Sequence, residues 1–598
     1  MRRGLRRSRL AFNDAVDRHR ASSPASTRRF ARTRAAVTGD DVKYSNDRGS
    51  GDAAKLVAQV PRSFGREVGF VNNPEVKESP DSVAAGTYQF RSQVGHISRN
   101  SGVYFAGTIF SVGLGYVFKV YLARKLGAEA LGVYALGVTF VGFLGAFSSL
   151  GLVESAVRFA GVYRATHKLD QLRALLWRGG AVLLMANVLF AAILVTVGGA
   201  VAVRFYHLPE LARYIPWFTA LMVLGAFSTF YGRILAGYKE VGRRTVITNF
   251  IGTPITMLLS IFLISLGWGL RGYLLAQVLG AILVIVFLFA FVWKLTPLEA
   301  RFSFRWPPPL ERELWSFSAV AIGVLLLEFM MGQIDKIALG FYRGAREVGV
   351  YSVAGAVVAY VSIVLSSVNQ VFSPVIADLH NRNENAMLGR LYRALTKWVL
   401  GLTLPLAITV IVYARPILRV FGHDFEAGWS ILIIGTLGQL VNCGVGSVGL
   451  LLLMSGNQRR FLRVQIAMVA VMIIASIALV PIWGIVGAAF AAAITNAGTN
   501  ALNLYEVHRI LGLSPFSRSY LRLLVPTIAT LLMALVLKFE ASIFRHDWLA
   551  IAASLFGSYL VFAGVMAALG LEEDDRLVAR AMWSRFRRSA ASMEGVQS

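Results

Sequence analysis

From about residue 102 to residue 570 the chain is a succession of apolar runs, each about 20 residues long, separated by short basic connections. A run of that length, coiled as an α-helix, matches the ~30 Å hydrocarbon core of a bilayer. In lipid every backbone N–H and C=O must find a partner within the protein, and a helix supplies those partners from its own segment. Composition agrees: 56% of the 598 residues are hydrophobic and 16% are charged, where a soluble domain carries about a quarter charged. A soluble multidomain enzyme is thereby excluded.

Fourteen such spans can be counted, the first near 102–123 and the last near 548–570. The basic residues flanking them are unequal on the two sides. Connections after even-numbered spans hold 23 Lys and Arg, and those after odd-numbered spans hold 12. By the positive-inside rule the even side is cytoplasmic, and both termini fall there. The same rule accounts for the formal net charge of +27, which in a soluble chain would suggest nucleic acid; no nucleic-acid partner is expected here, and anionic membrane lipids are. Residues 1–99 carry 19 basic and 10 acidic residues and no apolar run long enough to cross a bilayer. They read as a basic, disordered cytoplasmic tail, and 572–598 as a second basic tail.

Two stretches of the membrane part resemble one another. Gly127-Ala128 and Gly132-Val133-Tyr134 recur as Gly344-Ala345 and Gly349-Val350-Tyr351, an offset of 217. Trp268-Gly269 and Gly272 recur as Trp483-Gly484 and Gly487, offset 215, while Gly237 and Arg244 match Gly456 and Arg463 at 219. Six spans separate the copies, an even number, so both enter the membrane in the same sense and the repeat axis runs along the membrane normal. The expected fold is an all-α integral membrane protein of about 14 transmembrane helices: two parallel six-helix repeats, over 100–300 and 301–510, around a central cleft, plus two extra helices over 511–571.

Ionisable residues inside spans are costly and are the default functional candidates. Glu328 falls near the middle of span 7, with Asp335 seven residues on and Lys336 beside it at the span's outer end. There an interfacial structural role competes with ligand contact. Lys119 lies in span 1, deep enough to meet an anion or to snorkel to the interface. Arg158 and Arg233, near cytoplasmic span ends, suit either a phosphate or ordinary anchoring. Gln439 and Asn442 in span 10, and Asn496 and Asn500 in span 12, offer amides either to sugar hydroxyls or to neighbouring helices. Spans 1–6 hold no mid-span carboxylate, no phosphate-binding loop is present, and a single cysteine with eight scattered His supports no metal site and no catalytic residue. No cofactor is expected.

The segment Tyr121 through Gly132-Val-Tyr134 to Arg158, with Gln333-Ile-Asp335-Lys336 to Gly340, Phe372-Ser-Pro374, Val420-Phe-Gly422 and Leu479-Val-Pro481 through Gly487, resembles the multidrug, oligosaccharidyl-lipid and polysaccharide exporter superfamily. It is most similar to the polysaccharide-biosynthesis branch of O-antigen-type flippases. The resemblance implies a non-enzymatic carrier in a bacterial inner membrane that moves polyprenyl-pyrophosphate-linked oligosaccharides outward by alternating access, with a polysaccharide polymerase and a chain-length regulator as partners. On that reading Lys119, Arg124, Arg158 and Arg233 meet the headgroup, and Glu328, Asp335 and Lys336 serve coupling or gating. A lipid II flippase, a cation-coupled drug exporter and a non-transporting scaffold of a glycan-assembly complex are the alternatives.

Overall fold

The computed structural model describes residues 80–301, 306–539 and 547–570. Of the expected tails, residues 1–79 and 572–598 lie outside the described residues, while 80–99, read from the sequence as disordered, are helical. Among the described residues there is no strand.

The first half runs α1 (Pro80–Ser148), α2 (Leu152–Ala165), α3 (Leu169–Ala174), α4 (Gly180–Arg204), α5 (Pro209–Gly237), α6 (Val241–Thr245), α7 (Thr253–Leu263), α8 (Gly269–Leu295) and the short α9 (Leu298–Arg301). The second runs α10 (Arg312–Arg343), α11 (Ala345–Val361), α12 (Ile363–Asn381), α13 (Asn385–Val412), α14 (Ala414–Arg419), α15 (Trp429–Val445), α16 (Val448–Met454), α17 (Gln458–Trp483) and α18 (Ile485–Leu511). Then α19 (Leu524–Phe539) and α20 (Asp547–Ala568) follow outside the repeat and pack on each other and on α13.

Backbone geometry makes the internal repeat concrete. Gly127, φ 77° and ψ 175°, breaks α1, and Gly344, φ 91° and ψ −177°, separates α10 from α11. Gly269 (φ 52°, ψ −133°) and Gly484 (φ 54°, ψ −128°) form the second matched pair. Positive φ is strained for residues with a Cβ, which is why glycine stands at all four. The third match needs correction. The left-handed residue in the loop before α6 is Lys239, φ 64°, and its counterpart before α17 is Gly456, φ 78°. The hydrogen bonds agree: Glu240 N–H donates to Leu235 O at 3.0 Å and Asn457 N–H to Leu452 O at 2.9 Å. The loop therefore repeats at 217, not at the 219 obtained by pairing Gly237 with Gly456.

Eleven stretches of the described residues are long and apolar enough to cross a membrane, or twelve if α11 and the start of α12, bent by 51°, form one span. This count does not by itself confirm the expected fourteen. Two of the stretches, Phe110–Ser148 and Val241–Leu295, run through glycine breaks, and at 55 residues the second is far longer than the roughly 20 that one crossing needs.

The halves differ in regularity. Three π-helical segments, Leu175–Gly179, Val246–Gly252 and Ile264–Trp268, interrupt the first half, whereas among the described residues the second half has none. One buried cluster takes Leu136, Phe218 and Leu274 from the first half and Val353, Leu418 and Phe425 from the second. The halves therefore share a core.

Candidate functional site

The two halves meet most closely where α1, beyond its break, crosses α11. A Cβ on Gly132 would lie 1.7 Å from Ala345 O, and a Cβ on Gly349 1.8 Å from Ala128 O. Both pairs are Ala and Gly four residues apart on one helix face, the small-residue spacing that lets membrane helices touch backbone to backbone. Arg124 adds to this end: its Nε donates to Val420 O at 2.7 Å, tying the first half to the segment after α14.

Within one turn of that crossing a cavity of about 370 Å³ opens between the halves, lined by Lys119, Asp335, Lys336, Tyr351, Ser352 and small residues of α11, α15 and α18. The small residues leave the space, and Gly332 and Gly355 have nothing within 4 Å of where a Cβ would stand. Lys119 and Lys336 are themselves 217 residues apart, each eight before its glycine break. One lysine thus comes from each half, at equivalent positions.

The partners of these groups decide the charge of the cavity. Asp335 is buried; Tyr351 Oη donates to its Oδ2 at 2.5 Å and the Lys336 backbone N–H to its Oδ1 at 2.8 Å. Lys336 Nζ donates to Gln333 Oε1 at 2.9 Å, an oxygen that also accepts from Thr139 Oγ1 of the first half at 3.1 Å. Lys119 makes no hydrogen bond or ion pair among the described residues. Two ammonium groups and one carboxylate already held by two donors leave an excess positive charge. The fixed charge of the cavity lining is thus net positive.

The other residues singled out in the sequence lie elsewhere. Arg158 Nη2 meets Glu313 Oε1 at 3.2 Å with its guanidinium over the Phe159 and Phe317 rings. It belongs to a seam of α2 against α10 that includes Ser155 Oγ to Ser318 Oγ at 2.6 Å and Tyr163 Oη donating to Glu311 Oε2 at 2.7 Å. Burial, with the Glu311 carboxylate beside it, pushes the Tyr163 phenol above its ordinary value. Arg233 Nη2 pairs with Glu154 Oε1 at 2.7 Å. Asn442 Nδ2 donates to Gln439 Oε1 at 3.1 Å, Asn496 Nδ2 to Gly438 O at 3.3 Å, and Asn500 Nδ2 to Asn496 O at 2.9 Å. These amides satisfy one another and a neighbouring helix. Glu328 is exposed, has no polar partner among the described residues and does not line the cavity.

The polysaccharide biosynthesis protein family matches residues 97–380 and the MatE family residues 321–490. In fold the chain is similar to a lipid II flippase, MurJ, in its inward closed conformation, at TM-score 0.61 and 16% identity, covering 77% of this chain and 98% of that one. Both family matches and the shared fold are consistent with the multidrug, oligosaccharidyl-lipid and polysaccharide exporter superfamily. An inward-facing multidrug MATE transporter of this superfamily aligns at TM-score 0.53 and 15% identity, covering 66% of this chain and 94% of that one. Two proteins of Haloferax volcanii are similar in sequence. The probable flippase AglR is 23% identical over 66% of this chain and 80% of its own length. The probable low-salt glycan biosynthesis flippase Agl15 is 22% identical over 78% and 95%. The chain is a multi-pass membrane protein, and the two relatives just named are flippases rather than enzymes.

Sequence reasoning missed Tyr351, Gln333 and Thr139 as site residues. Tyr351 had a signal, the repeated Gly-Val-Tyr, but nothing in the repeat says that its hydroxyl reaches Asp335.

Proposed function

We propose that this chain is a flippase for polyprenyl-diphosphate-linked oligosaccharides, moving them from the inner to the outer leaflet of the cytoplasmic membrane for surface polysaccharide assembly. The observation that carries the reading is the cavity between the halves, with Lys119 and Lys336 from equivalent positions facing it and the Asp335 carboxylate already engaged. A diphosphate is expensive to carry through a low-dielectric slab. Two ammonium groups in a partly dry cavity offset that cost, while the isoprenoid tail stays in lipid. Asp335, and Glu328 seven residues earlier on α10, are the carboxylates we assign to coupling. The excess of basic residues on even-numbered connections supports our assignment of both termini to the cytoplasm, and a bacterial inner membrane is the setting we propose. A polymerase and a chain-length regulator are the partners this role calls for. Arg124, Arg158, Arg233 and the amides Gln439, Asn442, Asn496 and Asn500 would contact cargo only in a state that frees them from their present bonds.

The test is leaflet accessibility of a fluorescent polyprenyl-diphosphate oligosaccharide in proteoliposomes. Protein-dependent movement that is lost in Lys119→Ala and Lys336→Ala is the expected result. No movement of this lipid, with a labelled drug cation transported instead, overturns the reading.

A further inference from the structure

Lys119 and Lys336 stand on opposite halves and face one cavity. Tyr351 and Ser352, which line it, follow Gly349 by two and three residues, so the cavity lies within a turn of the tightest contact between the halves. The groups that could quiet them are few. Asp335 is held by Tyr351 and a backbone amide, and Gln333 offers Lys336 a neutral oxygen. Repulsion between the two ammonium groups therefore works against the Gly132/Gly349 contact, and an anion between them reverses its sign.

We infer that Lys119 and Lys336 form an electrostatic latch: empty, they loosen the Gly132/Gly349 crossing, and a diphosphate-type anion seated between them draws it shut. The first half of this inference rests on geometry and charge alone; the second rests on the anion-carrier reading above. The latch also gives Lys336 a part that differs from coupling, since it makes the two lysines equivalent.

The experiment uses spin labels on Lys125→Cys and Tyr342→Cys, exposed positions 217 residues apart that flank the glycine breaks, in the full chain in lipid nanodiscs. The native Cys443 is buried and stays unlabelled. Pulsed electron resonance is expected to give a short and a longer distance in the otherwise unaltered protein. Lys119→Met or Lys336→Met lowers the longer population about tenfold, while Lys119→Arg and Lys336→Arg, which keep the charge, leave it in place. Inorganic diphosphate lowers it in the parent protein and not in Lys119→Met. A distribution unmoved by Lys→Met, or a parent protein with no longer distance, overturns the latch. A response to Lys→Met with none to diphosphate overturns its anion half and counts against the carrier reading. Leaflet movement that persists when the distances do not respond leaves the carrier reading standing and removes the latch.

Discussion

Gly132 and Gly349 occupy each other's side-chain space: a Cβ on the first would overlap the carbonyl of Ala345, and a Cβ on the second the carbonyl of Ala128, four residues before Gly132. The contact is reciprocal, as two copies of one helix meeting across an axis must be. It follows that the two positions should respond alike to substitution.

Gly132→Ala and Gly349→Ala each force a backbone shift where neither side can yield, and each should cost about 1–3 kcal/mol. Gly332→Ala, with open space around it, should be neutral or slightly stabilising by helix propensity. Thermal unfolding of the three variants in one detergent checks this. Equal behaviour of all three would mean that the crossing does not set the packing.

Removing either lysine should lower transport of a lipid-linked glycan by about tenfold or more, because each supplies one of two charges to the same anion. The double variant should add less than the product of the single losses. Initial rates in proteoliposomes, corrected for inserted protein, measure it. Independent, multiplicative losses would argue for two separate sites.

Tyr351→Phe removes a donor from a buried carboxylate without changing the volume much. The cost should be about 1–3 kcal/mol, and Asp335→Asn in the same background should recover part of it, since a neutral amide needs that donor less. A double-mutant cycle on unfolding reads the difference. Additive effects would show that the 2.5 Å bond is not a stabilising unit.

Arg233→Gln and Arg158→Gln separate two kinds of arginine. The Arg233–Glu154 pair is the more enclosed, with side-chain exposures of 35% and 28% against 42% and 64% for Arg158–Glu313. Breaking the first should destabilise by about 1 kcal/mol and the second by less. If unfolding ranks them the other way, the stacking of Arg158 on Phe159 and Phe317 outweighs the ion pairs.

Much of the fold was legible because membrane helices advertise themselves by length and apolarity, and because glycine marks the breaks at 127, 269, 344 and 484. The offset in the remaining loop was misread because residue type and conformation part company there. Lys239 adopts the left-handed conformation that Gly456 adopts in the other copy, at a cost of about 1–2 kcal/mol that a loop held by its hydrogen bonds can bear. The number of crossings depends on whether a helix that continues through such a glycine break is counted once or twice. The mid-span Glu328 lies off the cavity; within the site, Lys119 was visible as a charge at awkward depth and Asp335 and Lys336 as charges at the outer end of their span. Their company was not: the tie of Asp335 to Tyr351 and of Gln333 to Thr139 are contacts between helices, on which local periodicity is silent.

The equivalence of the two lysines stops one residue away. At the offset of 217 the counterpart of Asp335 is Phe118, a buried ring packed on Tyr273. A perfectly twofold chamber would accept a cargo in either of two senses, head to one wall or to the other. Asp335 lines the cavity and Phe118, buried in the core, does not, so the chamber has a left and a right, and a molecule with an acidic link between two unlike ends meets a different wall on each side.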